Sequence, residues 1–402
     1  MIIGIDASRA NHTEKTGVEV YAFHIIQELK KSIPSTVRVI LYSREPLVGE
    51  LAVLPENWQS KVLVWPPKRF WTQIRLSMEM VFHAPDVLFI PAHVAPIIHP
   101  EKTVMTVHDV AAFRFPIVYT WFERWYSIWS AKVAVRNLWR IIVPSYFTRD
   151  ELVRLCRHQT IKAIKHESKD ASLHRGYDVV SEEIKKLFGH IYVVPHAYDV
   201  GVFRKEVKDD VEEIRRVKEI YGITKPYILT VGRLEEKKNT WRLVKAFDQM
   251  RSVYPNNDVQ LVLAGKPGVG YKKVVDEING SVHSVDIIKT GWVEESHIPY
   301  LLAGAEVFVF PSLYEGFGLP ILEAMAVGVP VIASRENSLE EVGGNAIAYV
   351  DAFHVHELMK KMHMFMQDRE LQQAAIIKGY KEVTRFSWRA SADATKKVLL
   401  GM

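Results

Sequence analysis

Residues 311–334 read PSLYEGFGLPILEAMAVGVPVIAS, and the order of residue types in them decides the fold of the carboxyl-terminal half. The apolar run Val307 to Phe310 leads in as a buried strand. A loop then holds Glu315 between Tyr314 and Gly316, with Gly318 following. Glycines permit backbone angles that side chains forbid and let a ligand approach the main chain closely. Pro320 suits the first position of a helix, Ile321 to Val327 are helix formers, Gly328 ends the turn, and Val329 to Ala333 reads as the next buried strand. Such a strand-loop-helix-strand unit aims unpaired amides and the positive end of a helix dipole at the loop, a setting for an anionic group such as phosphate.

Two carboxylates belong to this unit. Glu315 falls just before the helix and Glu323 is expected in its first turn, so both can face one pocket. The alternative is that Glu323 complements the helix dipole and Glu315 is a solvated loop residue; spacing alone leaves both open. The segment resembles the Glu-x7-Glu signature of the family-four retaining glycosyltransferases. That resemblance implies an α/β chain of the GT-B fold: two facing Rossmann-like domains with parallel sheets, and a C-terminal helix crossing back to the first domain.

The whole chain fits two domains. Its 402 residues exceed what one core usually holds, and 48% hydrophobic with 25% charged residues is ordinary globular composition. Residues 1–203 are expected as an amino-terminal acceptor-side domain with a basic insertion at 157–190. Residues 218–384 are expected as a nucleotide-sugar domain and 385–402 as the returning helix, with charges crowding in a linker from Phe203 to Val217. Cys156 is the only cysteine, so no internal disulfide can form and a reducing, cytoplasmic setting is expected. The start, Met1 to Asp6, lacks a basic lead and reads as a strand, not as a secretory signal, and no apolar run reaches the roughly 20 residues of a membrane span.

A net charge of +5 and a pI near 8.9 suit an anionic nucleotide, an anionic membrane face or nucleic acid. Nucleic acid is not expected, because no zinc-ligand cluster, no Walker-type loop and no RNA-binding aromatic signature is present. There is no Asp-x-Asp pair, so no metal and no cofactor are expected, and side chains and backbone must meet the charge of a departing diphosphate. The oligomeric state is not legible.

In the amino-terminal half, Gly17 opens a helix expected at Tyr21 to Lys31. Gly17 resembles the family's glycine loop, which brings amides to a pyrophosphate; a simple helix-start glycine is the alternative. Strands are expected at Val37 to Tyr42, Lys61 to Trp65, Asp86 to Pro91 and Thr103 to Val107, the last delivering His108 and Asp109 at its carboxyl end, where open α/β sheets bind ligands. The segment resembles the family's Thr-Val-His-Asp, which implies that His108 faces the donor sugar. Trp121, Trp125 and Trp129 fall four apart on one helix. Core packing is the preferred reading of that stripe. The alternative is an interfacial face, with Arg124, Lys132, Arg136 and Arg140 beside the rings.

In the carboxyl-terminal half, the strand Pro226 to Val231 ends in Gly232 and Arg233, with Lys238 and Asn239 following. Guanidinium and ammonium groups are the natural partners of phosphate oxygens, and Arg233 and Lys238 resemble the family's diphosphate-binding pair. Strands ending near Gly265 and Trp292 lie, by the same resemblance, near the nucleotide. The resemblance assigns Glu323 to the ribose, Glu315 to the donor sugar, and the amides of Gly316, Phe317, Gly318 and Leu319 to the phosphates. The implied function is retaining, metal-independent transfer of a hexose, GDP-mannose favoured, from a nucleotide sugar to a glycan or lipid-linked acceptor. A UDP-sugar donor and an inactive sugar-nucleotide-binding scaffold are the alternatives. The basic aromatic stretch Lys68 to Arg75, the tryptophan helix and residues 157–190 imply peripheral contact with an anionic membrane, against the alternative of a wholly soluble enzyme.

Overall fold

The computed structural model describes residues 1–12, 15–67, 70–92, 94–116, 119–167, 189–335 and 337–402. They fall into two compact units. Met1–Pro116, Thr120–His196 and Ser387–Met402 make the first; Ala197–Phe386, with Tyr119, makes the second.

The first unit is built on β1 (Ile2–Asp6), β2 (Arg38–Ser43), β3 (Trp58–Val62), β4 (Val87–Ile90), β5 (Thr103–Thr106), β6 (Arg140–Val143) and β7 (Ile191–Val193). They form one parallel sheet in the order β3-β2-β1-β4-β5-β6-β7. The order reverses beside β1, so β1 and β4 leave a crevice at their carboxyl ends. Every residue of the central strands β4 and β5 is buried, as expected of a parallel sheet covered on both faces. The last helix, Trp388–Leu400, packs in this unit along the helix Gly17–Ser32. Trp388 stacks on His24 with ring centres 5.1 Å apart, Ser391 Oγ donates to the Pro195 carbonyl at 2.5 Å, and Arg140 donates to the Val398 carbonyl at 2.8 Å.

The second unit carries β8 (Tyr227–Val231), β9 (Gln260–Ala264), β10 (Ile287–Gly291), β11 (Val307–Phe310), β12 (Val331–Ser334) and β13 (Ala348–Val350). They form a parallel sheet in the order β10-β9-β8-β11-β12-β13, with its switch between β8 and β11. The helix Thr240–Val253 buries Leu243, Val244, Phe247 and Met250 against Ile228, Leu261 and Val309 of the sheet. At about 1.5–3 kcal/mol for each large apolar side chain, this layer is a main source of the unit's stability.

Several expectations are corrected. β3 runs from Trp58 rather than from Lys61: it is an edge strand with mostly solvent-facing side chains, so the later apolar run Val62 to Trp65 drew the reading past it. β13, three residues at the other sheet's edge, is too short to leave a pattern. The charged segment expected as a linker is instead helical, at Lys205–Asp209 and Val211–Ile220, and docks in the second unit with Val217 buried. Its charges are the outer face of an amphipathic helix.

The tryptophan stripe is not core. Trp121, Trp125 and Trp129 are 79%, 51% and 40% exposed. Their helix, Trp121–Asn137, reaches the core through Ala131, Ala134 and Val135 in its carboxyl-terminal half, and the indoles nearer its start stand in solvent. The helix Tyr146–Glu167 runs into the expected insertion, of which residues 168–188 lie outside the described residues, as do Lys68 and Arg69 of the basic aromatic stretch.

Candidate active site

The candidate residues of the second unit sit on loops at the carboxyl edge of its sheet. β8 and β9 are tied beyond their ends by Gly232, whose amide donates to the Ala264 carbonyl at 2.9 Å. Gly265 has φ +151°, and a Cβ on it would stand 2.0 Å from the Gly232 carbonyl oxygen. Only glycine permits this approach. The next residue, Arg233, is exposed, its stem over Gly268, and no ion pair or hydrogen bond reaches its guanidinium among the described residues.

Lys238 ends a short turn, Glu236–Lys238, and Asn239 follows in the left-handed region at φ +59°. Asparagine tolerates that angle better than most residues. Here it is also fully buried: its Nδ2 donates to Pro311 O at 3.1 Å and Ala352 O at 2.6 Å, and its Oδ1 accepts from Arg242 at 2.8 Å. With the Leu313 amide donating to Lys237 O at 2.8 Å, the turn is pinned to the loop after β11. The Lys238 ammonium thereby comes within 2.5 Å of Glu315 Oε1 and 4.9 Å of the Phe310 ring centre. Ser312 Oγ donates to the same Glu315 oxygen.

The loop from Glu315 to Gly318 is held by Ser338, whose hydroxyl lies 2.8 Å from Glu315 O and 3.0 Å from Phe317 O and shares its one proton between them. The Phe317 ring is buried edge-to-face on Phe386, so the loop offers its backbone rather than that ring. The left-handed turn falls on Gly318, φ +109°, not on Gly316, and Gly318 caps the helix Leu319–Val327. A Cβ at Gly318 would stand 2.3 Å from Leu339 Cδ2.

Glu323 is the fifth residue of that helix and so lies in its second turn, not the first as expected. A dipole-complementing role is therefore weakened, since that effect fades within a turn. The carboxyl is partly buried, meets no hydrogen-bond donor among the described residues, and is pushed by burial up to about 7. Such a group gains from hydroxyl donors brought by a ligand. Beyond β10, half-exposed Trp292 carries the Lys266 ammonium 4.2 Å above its ring centre.

In the first unit, Gly17 is the first residue of its helix. The helix start is closed by a capping box in which the Thr16 amide donates to Glu19 Oε2 at 3.2 Å. What the structure shows of Gly17 is an ordinary capped helix start. His108 follows β5 and is buried among aromatic rings, 4.8 Å from Tyr21 and 5.1 Å from His196 between centres. Its Nε2 lies 3.1 Å from the Pro91 carbonyl, which can only accept, so the neutral ring carries its proton there. Nδ1 then accepts from His196 Nε2 at 3.0 Å. Both ring nitrogens thus have partners within the first unit.

Two family models match the chain: Glycosyltransferase Family 4 over residues 15–165 and Glycosyl transferases group 1 over residues 210–382. The chain belongs to the family-four glycosyltransferases. It is similar to O-antigen chain mannosyltransferase B of Escherichia coli, at 27% identity over 337 residues, 83% of this chain and 77% of that protein. It is also similar to MMP alpha-(1->4)-mannosyltransferase of Mycolicibacterium hassiacum, at 27% over 310 residues, 75% of this chain and 69% of that one. Anabaena Alr3699/HepE, solved in complex with UDP and glucose, superposes with a TM-score of 0.70 at 16% identity, covering 100% of this chain and 99% of its own. WaaG, a glycosyltransferase involved in lipopolysaccharide biosynthesis, does so with 0.68 at 12%, covering 100% of both. These likenesses establish the GT-B glycosyltransferase fold.

For this glycosyltransferase the sequence reading missed the residues that hold the site. Ser312 sits three residues before Glu315 and carries a local signal, since Ser commonly bonds to a near neighbour. Ser338 and His196 reach their partners from 23 and 88 residues away, and nothing in sequence spacing points to them.

Proposed function

We propose that the chain transfers mannose from GDP-mannose to a glycan or lipid-linked acceptor, with retention of anomeric configuration and without a divalent metal. The observation that carries this reading is the pair of cations at one sheet edge: Arg233 beyond β8, which no partner reaches among the described residues, and Lys238 set on Glu315 beyond β11. The carboxyl edge beside a switch point is where open α/β sheets bind nucleotides. The mannosyltransferase names of both relatives support mannose as the sugar.

In this reading the bond from the sugar C1 to the diphosphate oxygen breaks and the electron pair leaves with the diphosphate. Arg233 and Lys238 offset the charge that develops on it. The acceptor oxygen bonds to C1 on the face the diphosphate leaves, and its proton passes to a departing phosphate oxygen. Glu323 accepts from ribose hydroxyls, and Glu315 from the sugar while it aligns Lys238. The close turn at Gly232 and Gly265, the amides of Gly316 to Leu319 and the Trp292 ring complete the donor site. The chain has no Asp-x-Asp pair to hold a metal on the diphosphate, which supports metal independence.

The exposed tryptophans and their flanking cations support reversible contact with an anionic membrane at its cytoplasmic face, and no helix among the described residues is long and apolar enough to cross a membrane. A thermal-shift panel of GDP-mannose, UDP-glucose and ADP-glucose tests the donor. At 100 times its dissociation constant a ligand adds about 2.7 kcal/mol, enough to rank the three. GDP-mannose should give the largest shift; a larger shift with UDP-glucose would transfer the proposal to that donor, and none with any would end it.

A further inference from the structure

Arg242 is the third residue of the helix Thr240–Val253. Its guanidinium lies over two rings, 4.2 Å from the centre of Trp241 and 4.9 Å from that of Phe353, and one N–H donates to Asn239 Oδ1 at 2.8 Å. No carboxylate pairs with it among the described residues, whereas Arg215, Arg216, Arg251 and Arg369 of the same unit each have one. Burial lowers the guanidinium from its ordinary value, and the charges of Glu236 and Asp351 oppose that shift. A cation is thus kept where burial disfavours it, with two rings and one amide oxygen as its partners.

That oxygen belongs to the residue that follows Lys238. Asn239 is fully buried, and its amide nitrogen already donates to two carbonyls, Pro311 O beyond β11 and Ala352 O beyond β13. A buried amide oxygen left without a donor is costly, and a guanidinium can only donate. Arg242 therefore completes Asn239. The same planar group lies over Phe353, the residue next to Ala352, so it braces the loop after β13 from a second point. Trp241 packs against the core of the unit, which anchors the arrangement. Lysine at this position could donate to Asn239 but has no plane to lay over two rings.

We propose that Arg242 is a positioning residue for the transfer reaction: it locks the Asn239 amide across the loops after β11 and β13, and so holds the Lys238 ammonium at Glu315, in register with the departing diphosphate. The inference rests on the role given to Lys238 above and extends it to a residue that touches neither donor nor acceptor. Loss of Arg242 leaves the charge of Lys238 but not its placement. The damage should therefore fall on turnover, where new charge must be met, more than on donor binding.

The test is a kinetic cycle of wild type, Arg242→Ala, Lys238→Ala and the double variant. The donor is whichever of GDP-mannose, UDP-glucose and ADP-glucose gives the largest thermal shift, and kcat and KM are measured at matched concentrations of folded protein. Arg242→Ala should lower kcat about tenfold with KM little changed, because a displaced group loses its hold on the transition state while the fold stands. In the Lys238→Ala background it should lower kcat no further, the mark of two residues acting as a unit. Arg242→Lys should recover only part of the loss. Phe353 is 61% exposed, so Phe353→Ala removes one ring without threatening the fold; it should lower kcat about threefold, again only where Lys238 is present. If Arg242→Ala does not fold, the same cycle with Phe353→Ala decides. An equal loss in both backgrounds would overturn the proposal, since the residue would then act through something other than Lys238. A wild-type kcat in Arg242→Ala, with Lys238→Ala impaired, would overturn it too and leave the role of Lys238 standing. A wild-type kcat in Lys238→Ala would end that role and the positioning of it together, and no thermal shift with any donor would end the proposed function and this inference with it.

Discussion

Lys238 Nζ and Glu315 Oε1 stand 2.5 Å apart, so the cation assigned to the diphosphate and the carboxylate assigned to the sugar form one ion pair, with side chains only 20% and 12% exposed. Removing either partner leaves the other largely buried and unpaired, which costs more than the net worth of the pair. Lys238→Ala and Glu315→Ala should each lower kcat/KM about a hundredfold. The double variant should fall little further, with a coupling of about 1–3 kcal/mol. Initial rates of all four proteins complete the cycle, and strictly additive losses would show that the pair does not act as a unit.

Glu323 gives the site a pH dependence of known sign. Its carboxyl titrates at about 7 in the folded protein, above the ordinary value of 4.5, because burial disfavours its charge. The unfolded chain therefore releases this proton first, so the group's contribution to stability falls as pH rises from about 4.5 to about 7 and is level above that. Glu323→Gln should remove that fall. Nucleotide binding should run the other way, since the ionised carboxylate is the better acceptor for ribose hydroxyls: affinity for GDP rises as pH passes about 7, and the variant loses the dependence. Calorimetry across this range checks it, and a flat wild-type profile would remove Glu323 from the donor site.

Gly265→Ala should unsettle the nucleotide edge without touching a charged group. The new Cβ would press on the Gly232 carbonyl at a backbone angle of φ +151°. A loss of about 1–3 kcal/mol of stability is expected, together with weaker GDP binding because Arg233 follows that turn. Denaturant midpoints and calorimetry report the two effects; an unchanged midpoint would mean that the close approach is not maintained in solution.

Chelator should leave the initial rate largely intact, because Arg233 and Lys238 already supply two cations to the departing diphosphate. Abolition by chelator with recovery on added magnesium or manganese would contradict the mechanism.

The sequence carries the strand-loop-helix-strand unit at 307–334 because its signals are local: a four-residue apolar run, glycines, a proline and a second apolar run. Lys238, Glu315 and Arg233 are legible for the same reason, as charges at strand ends. That Lys238 and Glu315 touch is not legible, since the contact depends on Asn239 bridging Pro311 and Ala352, which are 72 and 113 residues away from it. The tryptophan stripe shows the opposite failure. A spacing of four fixes a shared helix face but not how far it is covered, and here the three indoles stay 40–79% exposed. His108 was legible by position at the end of β5, whereas its engagement by Pro91 and His196 is set by tertiary packing.

Arg233 offers the most direct test, because it is exposed and unpartnered among the described residues, so its loss should not disturb the fold. The measurement is the initial rate of GDP release from GDP-mannose by Arg233→Ala and by wild type, at matched concentrations of folded protein with an acceptor present. A drop of about a hundredfold or more in the variant, with thermal stability kept, is the expected result, since a cation facing a developing phosphate charge contributes on that scale. A wild-type rate in the variant would contradict the assignment of this sheet edge as the site of diphosphate departure.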